Sequence, residues 1–150
     1  VCPIGIGETL RRILAKCLTA VVGEDLEEVF GSEQLAGGLE GGIEDSLDAI
    51  NDVFNEKSSQ GQSLMLLDAA NAFNSVNRKA ALLNARREWP RASPFLFNSY
   101  QSPYELFVQG SNESLFSYEG TTQGDPLSIL LYGMALMPMI RRLRNPSHYI

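Results

Sequence analysis

Apolar residues recur at spacings of three and four through Leu10, Ile13, Leu14, Cys17 and Leu18, which predicts a helix over Glu8–Ala20. The same rhythm in Ile43, Leu47, Ile50 and Phe54 predicts an amphipathic helix over Ile43–Asn55. Between them Gly31–Gly42, with five glycines, reads as a connector, and Lys57–Gly61 as a polar loop. A third helix is predicted over Asn77–Trp89, closed by Pro90. A fourth starts in Ser93-Pro94-Phe95-Leu96, with Ser and Pro in capping order. Ser63–Leu67 is an unbroken apolar run ending at Asp68. Its length fits a buried central strand, although periodicity alone leaves a helix open. Tyr104–Val108 and Leu115–Tyr118 predict two strands around the polar turn Gly110–Ser114. The apolar stretch Leu127–Ile140, between Pro126 and Pro138, predicts a buried helix from about Pro126 to Leu143. At about 14 residues it falls short of the roughly 20 that a membrane span requires. The class is α+β, with antiparallel strands and packed helices.

At 150 residues the chain has the length of one domain, and its 44% hydrophobic and 20% charged residues are ordinary for a globular fold. Two cysteines, Cys2 and Cys17, exclude a disulfide-built scaffold. His148 is the only histidine, which argues against a four-ligand zinc site. With neither a leader-like start nor a spanning segment, an intracellular protein of cytoplasm or nucleus, without membrane partners, is expected.

The net charge of −6 hides a split. Glu24–Glu56 holds eleven acidic residues and no basic one, while the remainder carries all twelve Lys and Arg against seven Asp and Glu. The bases gather as Arg11, Arg12, Lys16; as Arg78, Lys79, Arg86, Arg87, Arg91; and as Arg141, Arg142, Arg144. Such clusters either meet phosphates or form solvated helix faces. The acidic block reads as a solvated surface facing away from any nucleic acid.

Two stretches carry candidate chemistry. Asp68 at the end of an apolar run is a fixed carboxylate of the kind hard divalent cations take, or else a cap for the next turn. Ala69, Ala70, Asn71 and Ala72 follow it, and small side chains there would let a bulky anion lie on backbone N–H groups. Phe73 adds a flat ring able to sort sugars by steric exclusion. The second stretch is Gly120-Thr121-Thr122-Gln123-Gly124-Asp125-Pro126-Leu127-Ser128. Asp125 and Pro126 are explained as a helix cap, whereas Thr-Thr-Gln-Gly ahead of them is not. Gln123 can donate and accept, and Gly124 permits close backbone approach.

An apolar run ending in Asp, then Ala-Phe, then some fifty residues to Gln-Gly-Asp-Pro-Leu-Ser resembles a reverse transcriptase, an RNA-directed DNA polymerase. Pro3-Ile4-Gly5-Ile6-Gly7-Glu8 with Arg11, Arg12 and Lys16 resembles the fingers motif that precedes those two in the family. Asn-Ala-Phe-Asn-Ser-Val-Asn-Arg and Gly-Thr-Thr-Gln-Gly-Asp-Pro-Leu are similar to the spelling of non-LTR, LINE-like retrotransposon enzymes.

The resemblance implies a partial right-hand polymerase. Residues 1–60 would be fingers, 61–80 the palm strand with the first catalytic Asp, 81–122 fingers and palm, and 123–150 the palm helix. It implies that Asp68 is the catalytic residue binding two Mg²⁺ ions (Mn²⁺ as a substitute), about 3.5–4 Å apart in two-metal enzymes. Asn71 and Ala72 would lie along the triphosphate, Phe73 would be the steric gate that selects dNTPs, and Gln123 and Gly124 would line the nucleotide and template pocket. Arg11, Arg12 and Lys16 would contact template or phosphate. The implied partners are an RNA template, a DNA primer, dNTPs and the remainder of the polymerase domain.

The chain departs from the family in places. Cys2 stands where the family places an Arg on the triphosphate, and a cysteine cannot make that forked contact. Asn71 and Asn74 are uncharged where many reverse transcriptases have Asp. No Asp follows Asp125 and no Asp-Asp pair occurs, so the family's second carboxylate motif, like the thumb, is absent. The expectation is a polymerase fragment inactive alone, whose Ser63–Leu67 run and Pro126 helix leave apolar surface uncovered. The alternative is a non-catalytic nucleic-acid-binding remnant.

Overall fold

A computed structural model describes residues 7–34, 41–57, 61 and 64–144. Cys2 and the Pro3–Ile6 part of the fingers-like motif lie outside these, as do Ser63, His148 and half of the glycine connector. The elements in order are α1 (Thr9–Val22), α2 (Glu24–Phe30), α3 (Gly42–Lys57), α4 (Ala72–Ser75), α5 (Arg78–Glu88), α6 (Ser93–Tyr100), β1 (Tyr104–Phe107), β2 (Ser114–Ser117) and α7 (Ser128–Arg144). A 3₁₀ turn, Gly31–Glu33, follows α2. The mixture of helices with a two-stranded antiparallel sheet is of the α+β kind. Tyr104 pairs with Ser117 and Phe107 with Ser114.

The core forms where α5 and α7 pack together, with α6 against α5. Ala81 and Ala85 are fully buried, and their small side chains let α7 approach α5 closely. Trp89, Leu96, Leu127, Leu131, Met134 and Met137 complete this layer. Fully burying each such side chain contributes about 1.5–3 kcal/mol. Gly133 of α7 faces Phe30 of α2, and a Cβ there would lie 3.0 Å from the ring. The predicted buried helix is therefore covered on its inner face, although Met139 and Leu143 stay exposed near its end.

Asn77 caps α5, its side chain accepting from the Ala80 amide at 2.8 Å. Ser93 does not cap α6. It is the first helical residue, Ala92 occupies the cap position and Pro94 follows inside the first turn. The carbonyl of Asp125 accepts from Ser128, and α7 starts two residues later than the sequence suggests.

One expectation fails. Leu64–Leu67 form no strand, although their exposure, from 51% at Leu64 to 82% at Leu66, is the uncovered apolar surface expected of that run. A central strand needs neighbours on both edges, and among the described residues β1 and β2 pair only with each other. On α1 the apolar residues divide between two faces. Ala15 and Val22 are buried with Arg11 and Leu18 beside them, while Leu10, Ile13, Leu14 and Cys17 face outward. The apolar stripe of α3 is likewise exposed.

The acidic block is not simply turned to solvent. Asp25 bonds Arg91 at 2.6 Å and the Trp89 indole at 3.3 Å. Glu33 pairs with Arg141 and Arg144, and Glu88 also meets Arg141. The hydrogen bond to Glu88, then that to Glu33, raises the Arg141 pKa.

Candidate functional site

The two candidate stretches, some fifty residues apart, meet in the fold. Asn71 adopts the left-handed conformation (φ 53°), which asparagine tolerates better than most residues. Its carbonyl accepts from the amides of Asn74 and Ser75, and its side-chain oxygen from the Asn74 amide group at 2.8 Å. This winds 72–75 into one tight turn and aims the Phe73 carbonyl at the second stretch. There the Thr121 amide donates to Phe73 at 2.6 Å, and the Gly120 amide to Val76 at 2.8 Å. Gly120 has φ +75°, and a Cβ on it would fall 2.4 Å from the Asn74 carbonyl oxygen. Only glycine meets both demands. The Phe73 ring lies against Tyr132 of α7, centroids 5.0 Å apart.

Arg78 fastens this junction to the hairpin. Its Nε donates to the Gly120 carbonyl at 2.8 Å, Nη1 to the carbonyls of Ser117 and Ser102, and Nη2 to the Ser117 hydroxyl and the Glu119 carbonyl. All five guanidinium N–H groups are thus engaged in a side chain that is buried, and desolvation lowers its pKa. Composition placed Arg78 in a basic cluster that would either meet phosphates or form a solvated helix face. The fold makes it an internal tie.

Gln123 is half-buried and Gly124 exposed with φ +97°, in the loop that leads to Asp125. Asp125 is buried, accepting from the Leu127 amide at 2.9 Å, the Tyr100 hydroxyl at 2.8 Å and Arg11 at 2.5 Å. The Arg11 guanidinium also lies over the rings of Tyr100 and Tyr104, 4.9 and 4.7 Å from their centroids. Burial first, and then the Asp125 carboxylate, push the Tyr100 phenol well above its ordinary range; burial also raises Tyr104.

Arg11 therefore reaches the Gln123 loop, but as a neutralised pair rather than a free phosphate contact. Arg12 and Lys16 point elsewhere, lining a shallow groove with Thr9 and Ile13. Together with Lys79, Arg86 and Arg87 they are exposed and hold no ion pair among the described residues. Asp68 is exposed, three residues before the Asn71 turn. Among the described residues no group of three His, Cys, Asp or Glu side chains could hold a metal ion. Asp68 supplies one carboxylate of such a set, and no metal-dependent step follows from the described residues alone.

Sequence reasoning missed the Arg11–Asp125–Tyr100 cluster and the contact of Phe73 with Tyr132. The only prior signal for the first was a lone Asp ahead of an apolar helix, and capping explained it. No helix of the described residues is long and apolar enough to cross a membrane. Comparison with protein-family models, with curated proteins and with solved structures finds no match.

Proposed function

We propose that this chain is the nucleotide-positioning part of an RNA-directed DNA polymerase of the non-LTR retrotransposon type. It would hold the fingers and the first half of the palm. One observation carries the reading: the Phe73 turn and the Gly120–Asp125 loop, the two stretches that resemble the family, are hydrogen-bonded side by side. In this reading the sugar of a dNTP lies against Phe73, backed by Tyr132. Asn71 and Ala72 offer backbone to the phosphates, and Gln123 and Gly124 border the base. Asp68 is the first carboxylate of a set that other residues must complete, so the chain alone transfers no nucleotide.

Photocrosslinking tests this. The purified chain is irradiated with 8-azido-dATP in Mg²⁺ buffer and the adducts are mapped by mass spectrometry. Adducts at Asn71–Phe73 or Gln123, competed by dATP better than by ATP, are expected. Adducts elsewhere, or equal competition by the two nucleotides, would overturn the reading. The five exposed bases that hold no ion pair among the described residues favour a second reading, nucleic-acid binding without nucleotide selection. It would show as salt-dependent binding of an RNA–DNA hybrid with no such adduct.

A further inference from the structure

The loop that joins the Phe73 junction to α7 is fixed at both ends and open between them. At its start the Gly120 and Thr121 amides are bonded to Val76 and Phe73. At its end Asp125 is buried, and its amide closes a turn onto the Thr122 carbonyl at 3.0 Å. Gln123, half-buried, and Gly124, exposed, lie between. The Asp125 carboxylate divides its work between its two oxygens. Oδ1 accepts from the Leu127 amide, which is the bond of a helix cap. Oδ2 accepts from the Tyr100 hydroxyl and from Nη2 of Arg11, and neither of these belongs to α7. A cap needs no charge, since asparagine caps as well as aspartate. A buried carboxylate, in contrast, is costly unless a cation meets it. The charge at position 125 is therefore matched to Arg11 rather than demanded by the cap.

We propose that Arg11 is a positioning residue, which through Asp125 fixes the Gln123–Gly124 turn and sets α1 against it. The other contacts of α1 are apolar, through Ala15, Leu18 and Val22, and apolar burial has no preferred direction. The charged hydrogen bond has one, and the guanidinium that makes it is itself held over the rings of Tyr100 and Tyr104. Next to Arg11 on α1, Arg12 and Lys16 line their groove. One bond thus sets that basic groove and the Gln123–Gly124 turn in register. That the positioned turn faces a nucleotide rests on the reading above; the positioning itself does not.

Amide exchange of the full chain, read residue by residue, tests this with two variants. The first combines Arg11→Met with Asp125→Asn. It removes both charges together, so neither is left buried alone, and the asparagine still caps α7 and still accepts from Tyr100. The amide of residue 125 should then exchange roughly tenfold faster or more, corrected for the changed side chain, because a charged hydrogen bond is lost. The amides of Gly120 and Thr121, and that of Leu131 in α7, should keep their rates. The second variant, Arg11→Lys, still donates one charged bond to Oδ2 and should keep residue 125 protected. In the photocrosslinking assay the first variant should lose adducts at Gln123 and retain those at Asn71–Phe73. An unchanged rate at residue 125 in the first variant would overturn the proposal. So would an acceleration shared equally by Thr121 and Leu131, which is what a tie that merely holds the fold together produces, or a lysine variant as unprotected as the first. The expected exchange pattern without any nucleotide adduct in the unaltered chain would uphold the positioning and overturn the nucleotide reading.

Discussion

The Phe73 carbonyl receives the Thr121 amide proton at 2.6 Å, and through this bond a one-turn helix and a glycine loop 48 residues away become one surface. The neighbouring bond from Gly120 to Val76 makes the contact a two-point clamp on backbone, where side-chain substitutions at Phe73 or Thr121 leave it in place.

Gly120 is the position where a side chain cannot be admitted. Gly120→Ala combines a positive φ with a Cβ 2.4 Å from the Asn74 carbonyl oxygen. The loss of stability should be about 2–4 kcal/mol, read from the urea midpoint. A loss below about 0.5 kcal/mol would mean that the loop and the turn separate readily.

Arg78→Lys keeps the charge and discards the fork. A lysine has three donors where the five of Arg78 reach Ser102, Ser117, Glu119 and Gly120. Buried carbonyls are left without partners, and a loss of about 2–3 kcal/mol is expected by thermal or urea unfolding. Amide exchange should speed up in β1 and β2 before it does in α7.

Tyr100 makes stability depend on alkaline pH. Its phenol is held neutral in the fold, so its folded pKa lies above the ordinary value near 10. The unfolded chain loses this proton first as pH rises past about 10. The contribution is complete below that pH and is lost as pH climbs toward the folded value. Urea midpoints measured from pH 8 to 11 should therefore fall at the alkaline end. In Tyr100→Phe the fall should be shallower.

Phe73→Ala removes the ring that meets Tyr132 at 5.0 Å and leaves the backbone clamp. Competition for the azido-nucleotide adduct should lose its preference for dATP over ATP, by about tenfold if the ring excludes a ribose hydroxyl. A preference that survives would remove Phe73 from the role proposed for it.

Much of the secondary structure was legible because its signals are local. The spacings in α1, α3 and α7, the Pro90 stop of α5 and the turn at 110–114 each act within a few residues. What failed depended on distant partners. Leu64–Leu67 has strand composition, but a strand exists only where another lies beside it. On α1 the apolar residues divide between two faces, and Ala15 and Val22 are among those the neighbours touch. The candidate site was legible as two separate stretches. Their union was not, because it rests on backbone groups of Phe73, Val76, Gly120 and Thr121 that every residue carries. Arg11 and Arg78 were misread because a charge count does not distinguish a buried guanidinium from a solvated one.

Tyr132 and Gly133 are consecutive on α7, the first against Phe73 and the second against the Phe30 ring of α2. A molecule pressing on Phe73 thus presses on a helix already held by a second aromatic ring from another direction. The Phe73 ring is thus backed by a helix that itself packs closely on a second aromatic ring. In the role proposed for it, Phe73 would sort a sugar by size at first contact.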